Sequence, residues 1–142
     1  MLNDAVLAWV NYARNDIEAG LVLMNSVRNP RLRPYEIILH HCHQCAEKML
    51  KAYLLHFSGG FDKIHALEYL RVACTTHDNG FNGKRMIDHC IYLDTYWNVK
   101  YPDFTVSVDA SHAARGINLA ENSGYIIVAV FHSCTSNVLW YP

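Results

Sequence analysis

Apolar residues recur every three or four positions through two long stretches of this chain, residues 4–25 and 35–57. That period predicts amphipathic helix and excludes half-buried strand. In the first stretch Ala5, Leu7, Ala8, Trp9, Tyr12, Ala13, Ile17, Ala19, Leu21 and Leu23 carry the pattern, with Asn3 or Asp4 placed to cap the first free amides. In the second, Ile38, Cys42, Cys45, Ala46, Met49, Tyr53 and Phe57 form one stripe, while His40, His43, Gln44, Glu47, Lys48 and Lys51 fall mainly on the other side. RNPRLRP, residues 28–34, separates the two with a pair of prolines, and Pro34 suits the first turn of the second helix. Ser58-Gly59-Gly60 ends it. At about 1.5 Å per residue each helix is roughly 33 Å long, the length of an up-down bundle.

Shorter helices are expected over residues 64–75, with Ala66, Leu67, Leu70 and Ala73 or Cys74 apolar, and over residues 84–97, with Ile87, Ile91, Leu93 or Asp94, and Tyr96 in play. The turn-rich HDNGFNG, residues 77–83, lies between them, and Pro102 closes the second. The last segment carries Ala113, Ile117, Ala120, Gly124, Ile127, Val128 and Phe131 at helical spacing, with Ser107 or Asp109 as cap. Within it YIIVAVF, residues 125–131, has strand-like composition. A lone strand cannot satisfy its own backbone, so helix is expected there too. Ala113, Gly116, Ala120 and Gly124 make a row of small residues across which a neighbouring helix can approach closely.

With 142 residues, half of them apolar, the chain suits a single folded domain over residues 1–142. The formal net charge of -1 does not suit a protein that coats nucleic acid with its whole surface, so any such contact is local. No basic leader precedes an apolar run, and YIIVAVF is far shorter than the roughly 20 residues of a membrane helix. Five cysteines without regular spacing argue against a disulfide framework. A cytoplasmic protein without membrane contact or cofactor is the expectation. The apolar tail VLWYP, residues 138–142, is expected to dock on the bundle or fill a dimer contact.

Trp9, Ala13 and Asp16 in the first helix, then Gln44-Cys45-Ala46-Glu47-Lys48-Met49-Leu50-Lys51-Ala52 in the second, then His65-Ala66-Leu67 and Lys100-Tyr101-Pro102, together resemble the HEPN family (higher eukaryotes and prokaryotes nucleotide-binding). The resemblance implies an all-α bundle of four to five helices, HEPN-like, often a homodimer. It also implies a frequent association with a nucleotidyltransferase partner, as in two-component toxin-antitoxin-like systems. Some members are RNases; others have no demonstrated chemistry.

Three kinds of site follow. HHCHQC, residues 40–45, is dense in metal ligands, but Cys42 and Cys45 share the apolar face and the remaining cysteines, Cys74, Cys90 and Cys134, stand alone. Core packing is therefore expected, with no metal. For RNA cleavage the nuclease members of the family imply an arginine and a histidine with four to six residues between them. Arg71 with His77 has that spacing, and Arg85 with His89 shares a helix face at a spacing one residue shorter. His112 and Arg115 lie where the motif belongs but in reversed order. For a nucleotide or partner groove the candidates are Asp16, Gln44, Glu47, Lys48 and Lys51, with Arg28, Arg31 and Arg33 as a nearby positive loop. The same residues can instead form an internal network tying the first helix to the second, Asp16 pairing with Lys48. Tyr101 is expected to pack at the turn that Pro102 sets, although it can also stack on a base. The leading expectation is a nucleotide-binding or partner-binding module, with a metal-independent endoribonuclease as the alternative and a ligand-free structural protein as the third.

Overall fold

Asn3 opens the first helix: its side chain accepts from the Val6 amide at 2.9 Å, as the capping rule requires. The computed structural model describes residues 2–104 and 106–132. Its helices are α1 (Asp4–Ser26), α2 (Tyr35–Ser58), α3 (Leu67–Cys74), α4 (Lys84–Thr95) and α5 (Ala110–His132), joined by three short 3-10 turns. Among the described residues there is no strand, and YIIVAVF lies within α5. The chain is an all-α helical bundle. No helix among the described residues is long and apolar enough to cross a membrane. Cys134 and the VLWYP tail lie outside the described residues.

α2 is the centre of the bundle. It packs against α1 and α5 along its length and against α3, α4 and the 3-10 turn Trp97–Lys100. Gly59, at φ 76, ends it in the left-handed conformation and returns its amide to Leu55, which glycine adopts without steric cost. α5 comes close to α2 at the small-residue row. Ala113, Gly116, Ala120 and Gly124 are all buried, and a Cβ on Gly116 would stand 2.7 Å from Leu39 Cδ2. Asp109 caps α5, accepting from the Ser111 and His112 amides.

Two of the shorter helices differ from expectation. α3 starts at Leu67 rather than residue 64, because residues 59–66 run back along α2 as an irregular strap that lets His65 reach Glu47. α4 turns Met86, His89, Cys90 and Leu93 inward, leaving Ile91 half-exposed. The inward row is the one that holds a histidine and a cysteine, and His89 meets Ser123 of α5 there.

Candidate functional site

The charged half of α2's sequence pattern lies largely inside the protein. His43, Glu47 and Lys51, assigned by periodicity to the polar side, are buried. A central helix has neighbours on nearly every face, so it has no broad solvent side on which to keep polar residues. A buried charge must then find a partner, and each of these does.

Asp16 of α1 forms an ion pair with Lys48 and lies 2.9 Å from His41 Nδ1. Burial pushes the Asp16 carboxyl up, but the hydrogen bonds from His41 and Lys48 outweigh it and hold the group below the usual aspartate range. One turn further along α2, Lys51 donates to Glu47 at 2.7 Å, with both side chains about 5% exposed. Gln44 donates to the same carboxylate at 3.2 Å. His65 Nδ1, from the strap, lies 3.0 Å from Glu47. Lys51 also faces the rings of Phe61 and Trp9, at 5.3 and 6.0 Å from their centroids.

A third carboxylate completes the network. Asp94, at the end of α4, lies 3.0 Å from Nε2 of the buried His43 and accepts from the Leu67 and Glu68 amides at 2.8 and 3.0 Å. It therefore caps α3 from a different helix, which is why Ala66 at that position supplies no side-chain cap. Burial raises the Asp94 pKa, and the bonds from His43 and the two amides bring it below the usual value. Trp97 seals the cluster, its ring 4.5 Å from that of His43 and stacked on His65 at 5.0 Å.

Asp16, Gln44, Glu47, Lys48 and Lys51 are thus brought together, and they are joined to one another and to their neighbours as internal bracing. Tertiary packing places His43, His65, Asp94 and Trp97 in the same network; of these the sequence had singled out His43 for α2's polar side and His65 as part of a family motif. Asp94 stood as one of two choices for an inward position, and nothing in the local pattern connects it with α3.

The arginine and histidine pairs fare differently. Arg71 is buried. It bonds Glu68 twice, at 2.8 and 2.9 Å, and donates to the Phe81 carbonyl at 3.0 Å and Asn82 at 3.2 Å. His77 is exposed and pairs with Ser58, beside the rings of Tyr53 and Phe57. The two therefore face different partners. Arg85 is exposed, whereas His89 is buried with Nδ1 3.0 Å from Ser123 Oγ; burial first, and then Arg85, lowers its pKa. At the start of α5, His112 lies 2.9 Å from Asp109, and the Arg115 guanidinium sits 4.3 Å over the Tyr92 ring. In none of these pairs do the arginine and the histidine share a hydrogen-bond partner, as two groups acting on one phosphate would.

Cys42 and Cys45 are fully buried in the core, and burial pushes both thiols well up. Among the described residues no three His, Cys, Asp or Glu side chains converge on a point that suits a metal ion.

The open concavities lie elsewhere. A groove of about 460 Å³ runs between the start of α2 and the segment entering α5, lined by Glu36, Ile37, Lys100, Tyr101, Phe104 and Val106 among others. Tyr101 is 51% exposed, so it lines this groove and is not packed away at the turn. Lys100 donates to the Trp97 carbonyl at 3.0 Å, and its ammonium sits 3.3 Å over the Trp97 ring centroid and 5.0 Å from that of Tyr101. A smaller, apolar depression on α1 is formed by Ala8, Trp9, Tyr12 and Lys48.

No curated protein and no solved structure matches the chain. The family model described as the HEPN domain matches residues 6–123, which takes in α1 through α4, the inter-helix ion pairs and most of α5. With that match over most of its length and with its helices bundled around the Gln44–Ala52 stretch, the chain belongs to the HEPN domain family.

Proposed function

We propose that this domain is a binding module without chemistry of its own. It takes a nucleotide, free or presented by a nucleotidyltransferase partner in a two-component, toxin-antitoxin-like system. The carrying observation is the groove beside Lys100 and Tyr101. Lys48 and Lys51 already have Asp16 and Glu47 as counter-charges, so neither has charge to spare for a phosphate. Lys100, among the described residues, has no carboxylate in ion-pair reach, and it stands next to an exposed aromatic ring at the wall of an open groove. An aromatic face stacks on a base for about 1–3 kcal/mol, and an ammonium adds a charge-assisted bond to phosphate. Internal pairing of the arginine and histidine candidates favours binding over RNA cleavage.

Thermal unfolding with ATP and with AMP tests this. Saturating nucleotide raises the melting temperature, Lys100→Ala and Tyr101→Ala remove the rise, and Lys48→Ala keeps it. A rise lost only in Lys48→Ala would move the site to the α1–α2 groove. No rise with either nucleotide, or cleavage of RNA by the purified domain, would overturn the reading.

A further inference from the structure

The groove between the start of α2 and the segment entering α5 is lined by an acid as well as a base. Glu36 and Ile37 contribute from the first turn of α2, Lys100 and Tyr101 from the facing segment. Glu36 is exposed, and among the described residues its carboxylate takes part in no hydrogen bond or ion pair. Nor is it spent on capping. The start of α2 has no side-chain cap, and the Tyr35, Ile37 and Ile38 amides bond to the carbonyls of Arg33 and Pro34. Lys100 has no carboxylate partner among the described residues either. The two side chains thus line one groove of about 460 Å³ without neutralising each other, a volume in the range of small-ligand sites. The same groove offers two apolar surfaces, the Tyr101 ring, 51% exposed, and Ile37, 40% exposed.

A ligand matched to that lining is flat, anionic at one end and hydrogen-bond-donating at the other. An ionised carboxylate accepts and does not donate, and its two oxygens suit a pair of parallel N–H donors. Among the common bases, guanine sets two such donors side by side on its pairing edge, at N1 and the 2-amino group. Adenine and cytosine set a donor beside an acceptor there, and uracil has a single N–H between two carbonyl oxygens. We propose that Glu36 makes this groove selective for guanine nucleotides. The base stacks on Tyr101, its N1–H and 2-amino group donate to the two Glu36 oxygens, and the phosphate meets Lys100. The inference rests on the nucleotide reading above and adds the choice of base to it. Adenine nucleotides keep the stack and the phosphate contact. They bind more weakly because they turn a ring-nitrogen lone pair toward a carboxylate oxygen, so the selectivity is built partly on repulsion.

Isothermal titration calorimetry on the full chain with GMP, IMP and AMP tests it. IMP keeps the N1–H and lacks the 2-amino group. The wild type binds GMP most tightly, IMP less and AMP least, with about tenfold between the first and the last. Glu36→Gln, at an exposed position and checked for unchanged helical circular dichroism, replaces one acceptor oxygen by a donor. It weakens GMP by about tenfold and leaves AMP little changed. Equal affinity for GMP and AMP, with Glu36→Gln altering neither, overturns the choice of base and leaves the nucleotide reading standing. No binding of any of the three, or binding indifferent to Tyr101→Ala, overturns both.

Discussion

Replacing Asp94 by alanine should destabilise the domain far more than the loss of one partly exposed carboxylate would suggest. Two costs add. The side chain caps α3 through the Leu67 and Glu68 amides, and losing a cap costs about 1 kcal/mol. It is also the partner of His43 Nε2, and His43 is only 1% exposed, so its ring nitrogen loses its protein acceptor in a buried place. Leaving a buried polar group unpaired costs about 1–3 kcal/mol. The sum is about 2–4 kcal/mol, which for a domain of this size lowers the melting temperature by roughly 6–14 °C. Urea unfolding gives the free energy directly. Asp94→Asn, which keeps one acceptor, falls between wild type and alanine. Asp88→Ala is the control: its pair with Lys84 is exposed on both sides, and such pairs are worth under about 1 kcal/mol. If Asp94→Ala costs no more than Asp88→Ala, neither the distal cap nor the buried histidine contact contributes to stability.

Acid should act through the same group. The folded pKa of Asp94, like that of Asp16, lies below its ordinary value. Their contacts therefore stabilise the fold at neutral pH and are lost as pH falls through the carboxylate range; the acid side of the stability profile flattens in Asp94→Ala, and an unchanged slope refutes the assignment. Asp16→Ala strips Lys48 and His41 of their shared partner and should cost about 1–3 kcal/mol in urea unfolding, with an unaltered midpoint as the contrary result. Arg71→Ala leaves Glu68 and the Phe81 carbonyl without their donor and should cost about 3 kcal/mol or more; a neutral outcome would mean that the guanidinium is free for another task. Cys42, Cys45, Cys74 and Cys90 are buried, and burial pushes the Cys74 thiol up to about 12. Iodoacetamide should leave all four unmodified in the native protein and label them after denaturation, and mass-mapped native labelling of Cys42 or Cys45 would contradict their place in the core.

Much of the architecture was legible from spacing. The two long helices, the cap at Asn3, the stop at Gly59 and the close approach at Gly116 each follow from a local rule, because helix period, capping and glycine conformation depend on a few neighbouring residues. The pairing of Asp16 with Lys48 was legible as one of two uses for those residues. The burial of His43, Glu47 and Lys51 was not, since amphipathic reasoning assumes that a helix has one wet side. The buried row of α4 was ambiguous for a related reason: both rows have helical period, and only the packing partners choose between them.

By itself, then, the sequence determined an all-α domain of the HEPN family, its long helices and where they stop. Tertiary structure alone decided which charges are consumed. Asp94 meets α3 and His43 across 27 and 51 positions of chain, and Arg71 turns to Phe81 and Asn82 and away from His77. Such partnerships are matters of distance in space, set when the helices pack, and no period along the chain encodes them.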